Sequence, residues 1–186
     1  MKKYLVGADE VGRGCLFGPV VAAAVILENN NNIELKDSKK LSEKKRIILL
    51  NEIEKNAIKI SIGQASVKEI DSLNIKEASL LAMKRAILGL KVKNIEIIVD
   101  GLDTPKINYP CKAIIKADDK IPEVMAASIV AKVHRDNLMI AISKKYPDFS
   151  LEKNKGYPTK EHLNILKSLG PTKYHRKSFK PVLDAR

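Results

Sequence analysis

The amino-acid sequence predicts an α/β protein in which a mixed five-stranded sheet is flanked by helices. Two observations support this fold class. Short apolar runs bounded by Gly, Pro, Asn or Asp predict strands, and segments with helical periodicity and capping residues lie between and after them. With 186 residues, 45% of them hydrophobic, the chain is long enough for one domain with a sizeable core and a short appendage.

The strands are predicted from apolar runs and turn residues. Gly18-Pro19 marks a turn between the first two runs, and Ile58, Ile60 and Ile62 alternate with polar residues, as in a strand with one buried face. Five strands are therefore predicted, near residues 4–8, 20–27, 58–62, 95–99 and 113–115.

The helices are predicted from their end signals. Ser42 and Thr159 are suited to cap helices, Pro122 to a first helical turn, and Gly170-Pro171 to a helix end. Capping-box spacing occurs at 66–69 and again at 74–77. After Tyr146 we expect loops and one clear helix. The predicted organisation is a catalytic domain at 1–146 and a C-terminal extension at 147–186, packed on that domain.

Acidic residues stand at the ends of three predicted strands. Asp9 and Glu10 end the first strand, Asp100 ends the fourth, and Asp118 follows the fifth. Taken singly, each acid is explained as a strand-end cap or a turn former. Together they favour a shared site, because ligands of open α/β sheets bind outside strand ends. Clustered carboxylates repel one another, and their oxygens suit Mg²⁺ or Mn²⁺.

Glycines after the first strand suggest a second interpretation, a dinucleotide-binding loop. That fingerprint requires its third glycine at position 17, whereas the third glycine here is Gly18. Pro19 then follows where a helix should start. Asp9 and Glu10 would also repel a pyrophosphate. We reject this interpretation; the glycines of Gly12-Arg13-Gly14 are better explained as allowing backbone N–H groups to approach a ribose or phosphate.

Charge and composition narrow the class of partner. Lys and Arg total 34 against 22 Asp and Glu, a net charge of +12. Nucleic acid, an anionic membrane surface or simple solubility would each explain this excess. The two cysteines form no CxxC pair and the three histidines have no zinc spacing. No apolar stretch approaches the ~18 residues of a membrane span. We therefore expect a cytoplasmic protein with no membrane partner.

Motifs along nearly the whole chain resemble the ribonuclease HII family of type II ribonucleases H. They are GADEVGRG at 7–14, FGPVVAAAV at 17–25, DSKKLS at 37–42, VDG at 99–101, KADDKIPEVMAASIVAKVHRD at 116–136, GYPTKEHL at 156–163 and GPTKYHRKSF at 170–179. The sister type III enzymes are similar at the opening but have Lys where this chain has Arg13. The resemblance implies a ribonuclease H-like fold with a C-terminal helical extension.

The resemblance also implies a two-metal-ion endonuclease. Its four acids fall on Asp9, Glu10, Asp100 and Asp118, with Mn²⁺ or Mg²⁺ as cofactor; Asp119 is the alternative fourth acid, and the offset from Asp100 favours Asp118. The implied substrates are RNA/DNA hybrids and duplex DNA with embedded ribonucleotides. Cutting 5′ to the ribonucleotide would leave 5′-phosphate and 3′-hydroxyl ends, in a role in replication and repair. We expect a monomer.

Substrate contacts are expected outside the acids. By resemblance, the backbone of Gly12, Arg13 and Gly14 would contact the 2′-hydroxyl, and Tyr157 would stack beside the sugar at the RNA–DNA junction. Tyr157 is also explained as a loop aromatic that packs on the extension. Basic residues at 36–46 and 173–180 are explained as solvated surface, but a nucleic-acid substrate favours phosphate contacts by three of them: Lys39, Lys40 and Arg176.

Two other functions would use parts of the same sequence. A resolvase or transposase-type nuclease of the same broad fold would act on DNA alone, but would lack the GRG and GYPT segments. A nucleic-acid-binding module without activity would use only the basic surface, yet four intact acids facing phosphates oppose binding unless a metal is present. One cleavage assay on a duplex with a single ribonucleotide separates all three functions.

Overall fold

The computed structural model describes residues 3–28, 35 and 41–185. Its centre is one five-stranded sheet with the strand order β3-β2-β1-β4-β5. The strands are β1 (Tyr4–Val11), β2 (Val20–Leu27), β3 (Ala57–Ala65), β4 (Ile95–Asp100) and β5 (Cys111–Ile114). All five predicted strands are confirmed, and the first is longer than expected because it continues through both acids.

The sheet is mixed, as predicted. β1 pairs antiparallel with β2, which pairs antiparallel with β3. On its other side β1 pairs parallel with β4, which pairs parallel with β5. β1, β4 and β5 therefore run in the same direction, and their carboxyl ends meet at one edge of the sheet.

Helices begin where the capping residues predict. The helices before the C-terminal region are α1 (Glu43–Asn56), α2 (Val67–Leu73), α3 (Ile75–Gly89) and α4 (Pro122–Ser143). Ser42 caps α1, Ser66 and Glu69 form a capping box on α2, and Asn74 accepts from two N–H groups at the start of α3. These side chains satisfy N–H groups that have no partner within the helix.

Helices cover both faces of the sheet. α3 packs on one face with Val6 and Ala8, while α1 and α4 pack on the other with Ala23 and Val25. α4 crosses very close to β1 at Gly7, where an added Cβ would lie 2.1 Å from the carbonyl carbon of Glu123. Only glycine permits this approach, which brings α4 beside the acidic end of β1.

The C-terminal region contains more helix than the sequence predicts. It comprises a 3-10 turn at Pro147–Phe149 and the helices α5 (Leu151–Asn154), α6 (Lys160–Leu169) and α7 (Lys180–Leu183). The expectation of one helix is wrong because α5 and α7 have only four residues each, too few for visible periodicity. Phe149, Leu151, Leu166 and Val182 share a third core with residues 16, 17 and 139. Among the residues described here, no helix is long and apolar enough to cross a membrane.

Candidate active site

The parallel strands bring the predicted acids to one edge. Ala8 pairs with Val99 in the β1–β4 register, so the next residues, Asp9 and Asp100, lie side by side. Asp118 follows β5 in a 3-10 turn at Ala117–Asp119. Together they open onto a cleft of about 400 Å³, whose lining is Asp9, Glu10, Val11, Gly12, Arg13, Gly14, Arg46, Asp100, Asp118, Ser128, Lys132 and Tyr157.

Asp9 is buried beside three side chains of the same charge. It is only 6% exposed. Its Oδ1 accepts a 2.7 Å bond from the Glu10 N–H, and its side chain also bonds with Ser128 of α4. Burial, followed by repulsion from Glu10, Asp100 and Asp118, raises the pKa of Asp9 well above its ordinary value. A cation that enters the cleft would therefore stabilise the charged form of this carboxylate.

Glu10 lies beside Asp9 but is partly neutralised. Its Oε1 accepts a 3.0 Å bond from the Arg13 guanidinium. Burial still raises the pKa of Glu10, although the Arg13 hydrogen bond and charge oppose the rise. Its Oε2 is buried and has no hydrogen-bond partner among the described residues. A buried carboxylate oxygen of this kind is costly unless a cation compensates it.

Asp100 and Asp118 complete the acidic group. Asp100 Oδ1 accepts a 2.8 Å bond from the Ala117 N–H, which ties the end of β4 to the turn that carries Asp118. Asp118 is 1% exposed and lines the cleft. Asp119 is exposed and is not part of the cleft lining, so the geometry favours Asp118 as the fourth acid.

The donor set fits a hard divalent cation. All four side chains offer carboxylate oxygens, which Mg²⁺ and Mn²⁺ accept, and the buried Glu10 Oε2 has no hydrogen-bond partner among the described residues. Within residues 3–28, 35 and 41–185, no three potential ligands are already placed to hold one ion. Mg²⁺ typically keeps several waters as ligands, so it does not require three protein side chains around one ion.

The glycine loop forms one wall of the cleft. Gly12 has a φ of +91°, and an added Cβ would lie 2.2 Å from Nε of Arg135, so only glycine fits. Arg13 and Gly14 are exposed, and a Cβ on Gly14 would meet nothing within 4 Å. The backbone of this loop is thus open to a ligand on one side and packed against Arg135 on the other.

Arg176 does not lie where a phosphate contact requires. Its side chain is 0% exposed, with Nε donating to the Gly18 carbonyl at 2.9 Å and Nη1 to the Arg13 carbonyl at 2.8 Å. Burial lowers its pKa to about 10. The expected surface contact is therefore replaced by an internal one, in which these backbone carbonyls hold Nε and Nη1 of the guanidinium below the glycine loop.

Tyr157 forms another part of the cleft wall. Its side chain is 36% exposed, and the charged groups of Lys132 and Arg135 lie 5.8 and 5.9 Å from its ring centroid. The side chain also has a hydrogen bond with the buried Cys15, and burial raises the pKa of Tyr157 to about 12. The ring is thus fixed on one side and open to the cleft on the other.

The basic run at 36–46 and helix α4 also supply residues that bear on the cleft. Lys39 and Lys40 lie outside the described residues. Arg46, from the same basic run, lines the cleft, as do Ser128 and Lys132 of α4. The i,i+4 spacing of Ser128 and Lys132 is the sequence signal for the latter two, although Lys132 also forms a 2.7 Å ion pair with Asp136.

Solved structures with this fold are ribonucleases H. The PCNA:RNase HII complex from Archaeoglobus fulgidus is similar with a TM-score of 0.80 and 30% identity, covering 95% of each chain. Ribonuclease H2 from Pyrococcus horikoshii OT3 has a TM-score of 0.78 and 26% identity, covering 98% of this chain and 96% of that one. A Bst-RNase HIII in complex with Mn²⁺ shares the fold at 18% identity, with a TM-score of 0.77, covering 98% of this chain and 69% of its own. Fold and site thus define a ribonuclease H-type hydrolase.

Sequence comparison specifies the family. The family model for Ribonuclease HII matches residues 6–182. Ribonuclease HII of Pelagibacter ubique is 54% identical over 98% of both chains, and that of Shewanella halifaxensis is 51% identical over 98% of this chain and 90% of its own. The chain belongs to the ribonuclease HII family. It is therefore a metal-binding endonuclease that acts on nucleic acid, and the predicted family and fold are confirmed.

Proposed function

We propose that this enzyme hydrolyses the RNA strand of RNA/DNA hybrids and cuts duplex DNA on the 5′ side of embedded ribonucleotides. The products would carry 5′-phosphate and 3′-hydroxyl ends. One observation carries the proposal: carboxylates from three strand ends share a cleft with the glycine loop and Tyr157. Groups suited to phosphate chemistry and groups suited to a ribose thus face the same space. In the cell, such cutting would begin the removal of ribonucleotides from DNA during replication and repair.

The acids would hold two divalent cations, Mg²⁺ or Mn²⁺. Asp9, Glu10, Asp100 and Asp118 would together hold these ions. When bound, the ions supply an activated water and stabilise charge on the leaving 3′ oxygen. The protein contributes orientation, because the N–H groups of Glu10 and Ala117 each fix one carboxylate oxygen, on Asp9 and Asp100 respectively.

The glycine loop would distinguish RNA from DNA. The 2′-hydroxyl marks a ribonucleotide within DNA, and it both donates and accepts hydrogen bonds. The exposed backbone of Arg13 and Gly14 can approach a sugar without steric hindrance from a side chain at position 14. Arg135 and Arg176 support the loop from inside, so its groups would be positioned before the substrate binds.

We also propose how the rest of the chain contributes. Residues 147–186 would act as a substrate-contacting extension of the 1–146 domain, because they carry Tyr157 to the cleft and share a core with Leu16 and Phe17. The enzyme would work as a monomer, since the four acids, the glycine loop and Tyr157 of one chain already meet in one cleft.

A cleavage assay tests the proposed function. Duplex DNA with one ribonucleotide, an RNA/DNA hybrid and an all-DNA duplex are each incubated with and without Mn²⁺. We expect one cut on the 5′ side of the ribonucleotide and several cuts in the hybrid, all requiring metal, and no cut in all-DNA. Equal cutting of all-DNA would indicate a DNA nuclease of this fold, and binding without any cut would indicate an inactive binding module.

Tyr157 gives a residue-level test. Tyr157→Ala should lower kcat/KM at a single embedded ribonucleotide by roughly ten- to a hundredfold, because aromatic stacking on a base is worth about 1–3 kcal/mol. Tyr157→Phe is the matched variant, which keeps the ring and loses the hydroxyl, and it should retain more activity than Tyr157→Ala. Unchanged cutting by Tyr157→Ala, with an unchanged melting temperature, would refute the stacking role.

A further inference from the structure

Two histidines are buried together behind the cleft and outside the acidic site. His162 of α6 and His175 are both 0% exposed, and their Nε2 atoms lie 3.3 Å apart. They are enclosed by aromatic rings: the centroid of His175 lies 4.8 Å from that of Phe17 and 4.9 Å from that of Phe149. Buried imidazoles in such surroundings need satisfied hydrogen bonds.

The hydrogen-bond partners determine which nitrogens carry protons. Nδ1 of His162 lies 2.9 Å from the carbonyl oxygen of Tyr157, which can only accept, so this nitrogen carries a proton. The backbone N–H of Thr172 donates to Nδ1 of His175 at 2.9 Å, so that nitrogen must be bare. A neutral His175 therefore carries its proton on Nε2, and it donates to the bare Nε2 of His162.

The result is a chain of hydrogen bonds with one direction. It runs from the Thr172 N–H through His175 and His162 to the Tyr157 carbonyl. Only the neutral pair fits all these contacts, because an added proton would place two N–H groups face to face or remove the acceptor of Thr172. Burial, and for His175 also the neighbouring His162, lowers both pKa values, that of His175 to about 4.

Both ends of this series of hydrogen bonds connect, directly or through Arg176, to residues that line the cleft. The Tyr157 carbonyl also accepts from the Thr159 N–H at 2.8 Å, so the backbone of Tyr157 is held at two points. At the other end, Arg176 directly follows His175, and its guanidinium bonds to the carbonyls of Arg13 and Gly18. The backbone N–H of Arg176 also donates to the Leu16 carbonyl at 2.8 Å.

We propose that His162 and His175 are positioning residues that fix Tyr157 relative to the Gly12–Gly14 loop and thereby set the selectivity for a ribonucleotide at an RNA–DNA junction. This inference rests on the proposed function, because it assigns ribose recognition to these two walls. Neither histidine lines the cleft. Their effect is therefore on the spacing of the walls and not on the chemistry at the acids.

Two substitutions at His162 test its hydrogen bonds to Tyr157 and to His175 separately. In His162→Asn, the amide nitrogen can occupy the place of Nδ1 and keep the bond to the Tyr157 carbonyl. In His162→Gln, the amide reaches the place of Nε2, keeps the contact with His175 and loses the bond to Tyr157. We expect His162→Gln to lose about tenfold in kcat/KM on a single embedded ribonucleotide, with a smaller loss on a continuous hybrid, and His162→Asn to retain this preference.

A structural role alone would lower both activities in step with stability, so melting temperatures are measured for both variants. Nitrogen-15 NMR of the wild-type histidines provides a test without substitution. We expect the Nδ1–H tautomer for His162 and the Nε2–H tautomer for His175 at pH 7. Any other tautomer pair, or a charged ring, would overturn the proposal, even if both variants fail to fold.

The same assay separates this inference from the proposed function. If Tyr157→Ala impairs junction cutting and folded His162→Gln cuts like wild type, the positioning role is wrong while the proposed function stands. If the wild-type enzyme does not cut at single ribonucleotides, the proposed function fails regardless of the tautomers.

Discussion

At the scale of single residues, the buried acids of the cleft are suited to metal binding but lower the stability of the fold. Asp9 is buried against three other acids, and each raises its pKa. When folding raises the pKa of a carboxyl group, the charged form of that group lowers the free energy of unfolding at pH values above its pKa. The cleft without metal should therefore be a source of instability at neutral pH, and this instability should be relieved by cations or by removal of a charge.

Asp9→Asn tests this relation. The variant should lose at least about a hundredfold in cleavage, because a metal ligand contributes several kcal/mol to such reactions. In EDTA at pH 7 its melting temperature should rise by a few degrees, since ~1 kcal/mol corresponds to about 2–4 °C at this size. The gain should shrink towards pH 4 and vanish below it, because the folded carboxyl is already protonated there and the unfolded one becomes protonated below its ordinary pKa of about 3.9. Near-wild-type cleavage, or a lower melting temperature in EDTA, would contradict this account.

The sequence allowed the placement of some residues to be predicted, but not that of others. The strand-end acids were predictable because parallel strands bring their carboxyl ends to one edge. The burial of Arg176 was not, because its acceptor, the Arg13 carbonyl, is 163 residues away in sequence. A basic residue in a charged run gives no local sign that distant carbonyls enclose it.

At the scale of elements, helix starts were predictable and short helices were not. Ser42, Ser66 and Asn74 cap their helices through local side-chain bonds, which depend only on nearby residues. α5 and α7 form in a region shaped by the core around Phe17 and Phe149, so their existence depends on tertiary contacts. The paired histidines belong to the same region, and their contact joins α6 to the segment before α7.

This histidine pair predicts how stability depends on pH. The folded pKa of His175 is lowered to about 4 and that of His162 is also lowered, while unfolded histidine titrates near 6.5. Between these values the unfolded chain binds protons that the folded chain does not, so the free energy of unfolding should fall as the pH drops from about 6.5 towards 4. The slope is at most about 1.4 kcal/mol per pH unit for each histidine.

Urea unfolding of wild type and His175→Gln between pH 7 and pH 4 measures this effect. The variant should be less stable at pH 7 and should lose less stability on acidification, since it lacks one of the titrating rings. Parallel pH profiles for the two proteins would show that His175 does not titrate differently on folding.

At the scale of the whole molecule, the positive charge and the acidic cleft are complementary. The net charge of +12 attracts a polyanion, while the carboxylates would repel its phosphates unless cations are present. The fold class, strand set and acidic edge followed from the sequence, because each depends on periodicity or strand direction. The proximity of Tyr157 to the glycine loop followed only from the family resemblance, because it depends on the third core and no local pattern shows that core.

Salt dependence of binding tests the electrostatic part. Affinity for an uncut all-DNA duplex in Mg²⁺ should fall steeply with added salt, because each phosphate contact releases bound counterions. With six to ten such contacts, the loss would be roughly 10³–10⁵-fold between 50 and 200 mM salt. Fluorescence anisotropy measures it, and a flat response would indicate that the basic residues are only solvated surface.

The central claim is that acids from separate strands jointly hold divalent cations, and a calorimetric titration with Mn²⁺ tests it most directly. Wild type is compared with Asp100→Asn and with Asp119→Asn, a matched change of an exposed acid outside the cleft. We predict that Asp100→Asn loses most of its affinity for Mn²⁺, while Asp119→Asn binds like wild type. Equal binding by wild type and Asp100→Asn would contradict the account.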